Sequence, residues 1–291
     1  MILSPIELSI KRKIESVGTP LKDWDINIYR GLLTGYNDAF IVSTQKREEI
    51  LLNCQSEDER KRTEELIRPI LRGRDIKRYS YDWANLWLIW VPWHFPLHND
   101  SSIQGASDKA ERIFKEQYPA LYNHLLSFKK ELSARNKAET GIRYEWYALQ
   151  RWGANYWEEF FKPKVMYPNM TKYIPFYYDT LGFYQNDKSF MITGRHIAYL
   201  TAFLNSSIFK FCFLNNFPEL QGGTRELRKV FFDKIPVKQI NDALNEQFAL
   251  LVSEMQKTPS VARAKVIDKL LFDVYELTEE ERDVIGFIEI Q

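Results

Sequence analysis

The chain has 291 residues, 45% of them hydrophobic and 27% charged, with 19 Phe, 16 Tyr and 8 Trp. That supply of apolar side chains is enough for one large domain or two and excludes disorder as the organising state. Net charge is +1, yet the first 235 residues carry 34 basic against 28 acidic groups and the remainder 6 against 11, a basic body with an acidic tail that permits a polyanionic partner.

Cys54 and Cys212 stand far apart without CxxC spacing, which excludes a zinc ribbon and makes the reducing cytoplasm the expected compartment. The N-terminus lacks the charged and apolar blocks of a signal peptide. The most apolar window, residues 197–214, is interrupted by Asn205, Ser206, Ser207 and Lys210. It reads as a buried helix, so no membrane partner is expected.

In chain order, Leu3, Ile6, Ile10, Ile14 and Val17 form one stripe of an amphipathic helix over residues 2–17, stopped by Gly18 and Pro20. The stripe is too narrow to bury alone and calls for a neighbouring domain or the C-terminal helices. A chain that begins this way has the look of a piece of something longer. Apolar runs at 26–29 and 39–42 then flank a polar loop with Gly31, Gly35, Asn37 and Asp38, which predicts strand, glycine loop, strand. Two readings stand for this loop: an ordinary hairpin, or backbone N–H groups beside Arg30 that reach a phosphate or a base.

Thr44 is a candidate cap for a helix through about Asn53, and Ser56 with Glu59 forms a capping box for another that ends before Pro69. Residues 68–79 are the most basic stretch, with five cations and one anion. Residues 86–91 follow as an apolar strand among Trp83, Trp87 and Trp93. Ser107 caps a predicted helix to Gln117, and Pro119 opens one through Leu132. Strands are expected at 164–167, 176–179 and 190–193, then a helix over 196–213. The Gln221-Gly222-Gly223-Thr224-Arg225 loop comes next, and helices over 241–256, 261–275 and from Thr278 complete the chain.

Chemistry-bearing patterns are sparse. His94 and His98 have metal-like spacing, but Pro92 and Pro96 oppose a helix there and no third ligand is evident, so no metal site is assigned. There is no G-x-S-x-G, no Walker loop and no G-x-G-x-x-G. Pro-Pro is absent altogether, and with it the Asn-Pro-Pro-Tyr tetrapeptide that grips a flipped base in amino-methyltransferases. No catalytic residue is assigned. Contact surface is expected instead in the opening loop, the basic run and the Gly-Gly loop, because arginine reads guanine bidentately, Gln or Asn reads adenine, and other cations hold phosphates.

Six patterns occur in a telling order: Gly31-x-x-Thr34-Gly35-x-Asn37-x-Ala39-Phe40; Pro69-x-Leu71-Arg72-Gly73-Arg74-Asp75-Ile76-x-Arg78-Tyr79; Tyr118-Pro119-x-Leu121; Lys162-Pro163-Lys164-Val165; Leu204-Asn205-Ser206; and Asp233-Lys234-Ile235-Pro236-Val237. Over about residues 20–237 the chain resembles the TaqI-like C-terminal specificity domain of Type IIG restriction–modification enzymes and related adenine-specific DNA methyltransferases. The tail Tyr275-Glu276-Leu277-Thr278 followed by three glutamates resembles the usual end of such polypeptides. The resemblance implies an α+β recognition domain with a mixed or antiparallel sheet, preceded by a linker helix (1–19) and followed by a helical segment (238–291).

It also implies sequence-specific binding of double-stranded DNA beside a methyltransferase or endonuclease that lies outside this chain. S-adenosylmethionine and Mg2+ are implied only for those catalytic domains. Residue chemistry nominates Arg30, Asn37, Arg72, Arg74, Lys77, Arg78, Gln221 and Arg225 as DNA-binding. For the basic run a structural role stays open, with Asp75 pairing an arginine to hold the turn. The rival classes are a stand-alone nuclease with an unrecognised site, and an aromatic-rich module for RNA or glycans.

Overall fold

The structure, a computed structural model, describes residues 4–288. Two four-stranded sheets form its frame. In the first, the order is Tyr177–Asp179, Lys164–Pro168, Ser189–Gly194 and Ile26–Arg30, with every neighbour antiparallel. In the second, Tyr184–Gln185 runs parallel to Ile67–Leu71, and Leu86–Ile89 and Ile41–Ser43 follow antiparallel. With helices packed around both sheets, the fold is α+β and the sheets are antiparallel and mixed, as expected.

Two main cores lie against the sheets, with Met191 of the first sheet reaching into the second core and Met166 and Tyr177 joining Leu71 in a smaller third cluster. The first sheet packs with the helices Ile197–Leu204, Asp242–Lys257 and Val261–Val274, and the second with Asp108–Gln117 and Pro119–Leu126. Ser4 begins Pro5–Val17 with a reciprocal capping box to Glu7, and Ile10 and Ile14 on that helix are fully buried in the first core. Lys13 Nζ ties this helix to the chain's other end, donating to Glu276 O (2.7 Å) and Glu281 Oε2 (2.8 Å). Ile6, Ile10 and Ile14 of the stripe are therefore covered by the first core, whereas Val17 is 43% exposed and Leu3 lies outside the described residues. No helix among the described residues is long and apolar enough to cross a membrane.

The opening loop differs from the hairpin expected of it. Ile26–Arg30 pairs with Ser189–Gly194, whereas Ile41–Ser43 pairs with Leu86–Ile89 in the other sheet. Between them the chain crosses over through isolated bridges from Leu32 to Asn186 and from Leu33 to Arg151, and Asn37–Phe40 is a turn of helix. The reason is burial. Phe40 and Val42 belong to the second core while Ile26 and Ile28 pack on the first, so a local hairpin would strip one set of its partners.

Other differences are also local preferences overridden by partners. Ser43, not Thr44, caps Thr44–Leu52, because the Thr44 hydroxyl donates to Asn85 O (3.2 Å). Glu59 reaches past Ser56 to accept from Gln55 N, and its second oxygen accepts from Ala120 N. The expected helix to Leu132 breaks into Pro119–Leu126 and Lys129–Ala134. The expected helix over 196–213 breaks into Ile197–Leu204 and Ser207–Cys212, with Ser206 capping the second half.

A buried ion pair ties the first sheet to the segments beside it. Lys164 Nζ lies 2.5 Å from Asp179 Oδ2 with both side chains fully buried, and it also donates to Phe160 O (2.7 Å). Asp179 further accepts from Leu181 N and Phe183 N, each at 2.9 Å. Burial pushes the lysine pKa down and the facing carboxylate opposes that shift. Lys164→Ala leaves Asp179 charged and buried, so it is expected to lower unfolding free energy by about 3–5 kcal/mol, measured by urea denaturation.

Candidate nucleic-acid interface

A single turn, residues 186–189, gathers the segments that carry the basic residues. Gly31 N donates to Ser189 O (2.9 Å) and Leu32 N to Gln185 O (2.9 Å). A Cβ on Gly31 would sit 1.9 Å from Asn186 O, so only glycine allows this approach. On the other side, a Cβ on Gly73 would meet Lys188 O at 2.8 Å. Asn169 N donates to that same Lys188 carbonyl (2.9 Å), and Leu227 N donates to Asn169 O (2.8 Å). The opening strand, the basic run and the strands at 170–171 and 224–226 thus meet at one place.

Within the basic run the arginines divide into two kinds. Asp75, buried, accepts from Arg72 N (2.8 Å), Arg72 Nε (2.9 Å) and Arg72 Nη2 (2.8 Å). This bidentate clamp raises the Arg72 pKa through the hydrogen bond and commits the guanidinium to the turn. Arg78 Nη2 donates to Asn205 O (2.8 Å), at the end of Ile197–Leu204. The Asn205 side chain, in turn, exchanges hydrogen bonds with both backbone groups of Phe176. Arg74 and Lys77 stay exposed. The structural reading of Asp75 is therefore the geometry observed for Arg72, while Arg74 and Lys77 face outward.

These outward cations border a groove of about 720 Å³. Its walls bring Arg74, Lys77 and Arg78 together with Lys172 and Lys210, and no carboxylate is among the lining residues. Tyr173, 62% exposed, stands on the same wall. Beside it runs a three-stranded antiparallel ribbon, Glu219–Leu220, Thr224–Glu226 and Met170–Thr171. Its tip, Gln221–Gly223, is exposed, and Gly222 and Gly223 both have positive φ (79° and 77°) with open space around them. The two glycines make the reversal that pushes Gln221 outward.

The other nominated residues fall as follows. Arg30 is half-exposed on the first sheet's edge strand and donates from Nε to Asp187 O (2.8 Å), next to the same turn. Arg225 is held to the ribbon's base, donating to Phe217 O (2.8 Å), Asn215 Oδ1 (3.1 Å) and Glu219 Oε2 (2.9 Å). Asn37 accepts from Thr34 Oγ1 (2.7 Å) beside the second core, apart from the groove's lining. His94 is bound to Glu145 (3.0 Å), and His98 stacks on Phe95. Sequence reading passed over Lys172, Lys188 and Lys210, each a lone lysine; the one usable signal was Lys172-Tyr173, a cation beside an aromatic ahead of a Pro.

Comparison with known proteins shows the family and the fold. The family model of the TaqI-like C-terminal specificity domain matches residues 68–237. The chain is 23% identical over 239 residues to the Type II methyltransferase M.MjaIV of Methanocaldococcus jannaschii, covering 77% of this chain and 69% of that protein. Its fold is similar to that of the type IIG restriction endonuclease BpuSI, at TM-score 0.50 and 14% identity over 96% of this chain and 34% of that one. It is similar also to the Type IIL restriction-modification enzyme MmeI, solved in complex with DNA, at TM-score 0.53 and 13% identity over 93% and 34%. The chain spans about a third of each of these two solved enzymes.

The division of the arginines has a measurable consequence. Asp75→Ala removes both carboxylate oxygens, which accept three hydrogen bonds from Arg72 at a buried site, and is expected to cost about 3 kcal/mol in urea denaturation. Arg74→Ala, only two residues from Arg72, should change stability by less than about 0.5 kcal/mol.

Proposed function

The chain belongs to the family of TaqI-like C-terminal specificity domains, and on that premise we propose that it is a sequence-specific reader of duplex DNA that positions a methyltransferase or endonuclease lying outside it. The observation that carries this reading is the carboxylate-free basic groove running beside an exposed ribbon tip. The major groove of B-DNA admits a two-stranded β-ribbon, and phosphates on its rim suit flanking cations. Arg30, Arg74, Lys77, Lys172 and Lys210 are the proposed phosphate contacts, and Gln221 the proposed reader of an adenine edge. Arg72, Arg78 and Arg225 act by holding the surface in shape. Asn37 shapes the crossover.

Among the described residues no three His, Cys, Asp or Glu side chains come together as a cation's ligand set. S-adenosylmethionine and Mg2+ are what the resemblance implies for the proposed catalytic partner. The RNA or glycan alternative relied on tryptophan platforms. Six of the eight tryptophans instead donate their indole N–H within the chain, so the rings serve chiefly as packing.

Binding of a random-sequence duplex to the chain, followed by fluorescence anisotropy across a salt series, tests the reading. Arg74→Ala with Lys77→Ala is expected to flatten the slope of log K against log salt by about 0.9 for each phosphate no longer neutralised. Gln221→Ala should leave that slope unchanged and relax preference at one A·T pair by about 1–3 kcal/mol. Magnesium-dependent cleavage by the purified chain would sink the reading in favour of an enzyme.

A further inference from the structure

Two apolar side chains on the ribbon are explained neither by phosphate binding nor by Gln221. Alternation across the three strands sorts their side chains onto two faces. Arg225 with its cross-strand neighbours Glu219 and Thr171 occupies one face, turned toward Asn215 and Phe217. The other face carries Leu220 opposite Thr224, and Met170 opposite Glu226. Leu220 is 40% exposed and Met170 is 51% exposed, so both present apolar surface to solvent on that face, and Met170 also lines the basic groove. Glu226, between them, is neutralised by Arg228 Nε at 2.7 Å.

We infer that Leu220 and Met170 are specificity-determining residues that contact the C5-methyl groups of thymines in the major groove. This inference rests on the duplex-recognition reading and adds the chemistry of the bases chosen. Occupancy by DNA, rather than by a protein, follows from the charge beside the ribbon, where Arg74, Lys77, Lys172 and Lys210 border the groove with no carboxylate among them. Leu220 and Met170 sit on the two outer strands, two interstrand steps and about one side-chain repeat apart, about 12 Å, so they would meet different base pairs. In that groove the thymine methyl is the apolar mark that distinguishes A·T from other pairs. Flexible Leu and Met side chains supply the apolar contact, while Gln221 at the tip supplies the hydrogen bonds.

The test uses a duplex selected from a random pool by the wild-type chain, then resynthesised with deoxyuridine in place of thymidine. Pairing is kept and only the methyl groups are removed. Wild-type affinity is expected to fall about four-fold for each contacted methyl, the effect of removing one buried carbon. Met170→Ala and Leu220→Ala should each lose part of that discrimination, and Met170→Leu should restore it; circular dichroism melting checks that each variant is folded. Equal binding of the thymidine and deoxyuridine duplexes overturns the inference while leaving duplex recognition intact. A uridine penalty that is unchanged in both alanine variants overturns it too. Failure to bind any duplex overturns the recognition reading and this inference together.

Discussion

Beside the turn at residues 186–189 there is no room for a β-carbon at two places. Gly31 approaches it from the opening strand and Gly73 from the basic run, each within a distance that a side chain would forbid. The same turn accepts Asn169 N, and through Asn169 it holds Leu227, the residue that follows the strand Thr224–Glu226. Three segments far apart in the chain are thereby locked against one short piece of backbone. The groove between Arg74 and Lys172, and the ribbon beside it, exist only because those segments are held there. Close packing of backbone on backbone leaves little freedom to slip, so a contact surface built on it is rigid before any partner arrives.

Charge in this surface is divided by role. Carboxylates take up Arg72 and Arg225, and a backbone carbonyl at a helix end takes up Arg78. Those pairs are partly buried and shape the walls. Arg74, Lys77, Lys172 and Lys210 face the groove with no acid on its lining, Lys77 lying 3.9 Å from the exposed Asp82 beside it. A net charge of +1 conceals this arrangement, because the acidic excess lies in the C-terminal segment. Solvated cations around a concave wall attract a polyanion over a range set by salt, and a ribbon tip can then sample base edges. In the proposed reading, steering and base contact fall to different residues, so the bases chosen can change without dismantling the wall.

The end helices belong to the same structural logic. Ile10 and Ile14 are sealed in the core shared by the first sheet and the C-terminal helices, and Lys13 joins the first helix to Glu281. The helix Ile197–Leu204 lies beneath them and ends at Asn205, which clamps Phe176 and receives Arg78. A continuous path of packed residues therefore runs from the chain's ends to the wall of the groove.

Local chemistry was enough to read several elements. Ser107 ahead of an apolar stripe, Pro119 at a first helical position and Thr278 three residues before Glu281 each marked a helix start that the structure contains, because a cap is settled within one turn of chain. The ordered patterns hold residues with structural duties: Gly31 and Gly73 leave no room for a β-carbon, and the buried Asp75, Asn205 and Lys164 each hold hydrogen bonds. What those residues touch was decided only by the tertiary structure. The opening stretch looked like a hairpin since its two apolar runs are close in sequence, yet their burial in separate cores sent them to different sheets. Arg72 and Arg74 are indistinguishable as letters; a carboxylate three residues on captures the first and leaves the second in solvent. Lys210 carries no local signal and Lys172 only the aromatic beside it, for a groove is made by the walls that long-range packing brings together, and sequence separation hides which cations will share it.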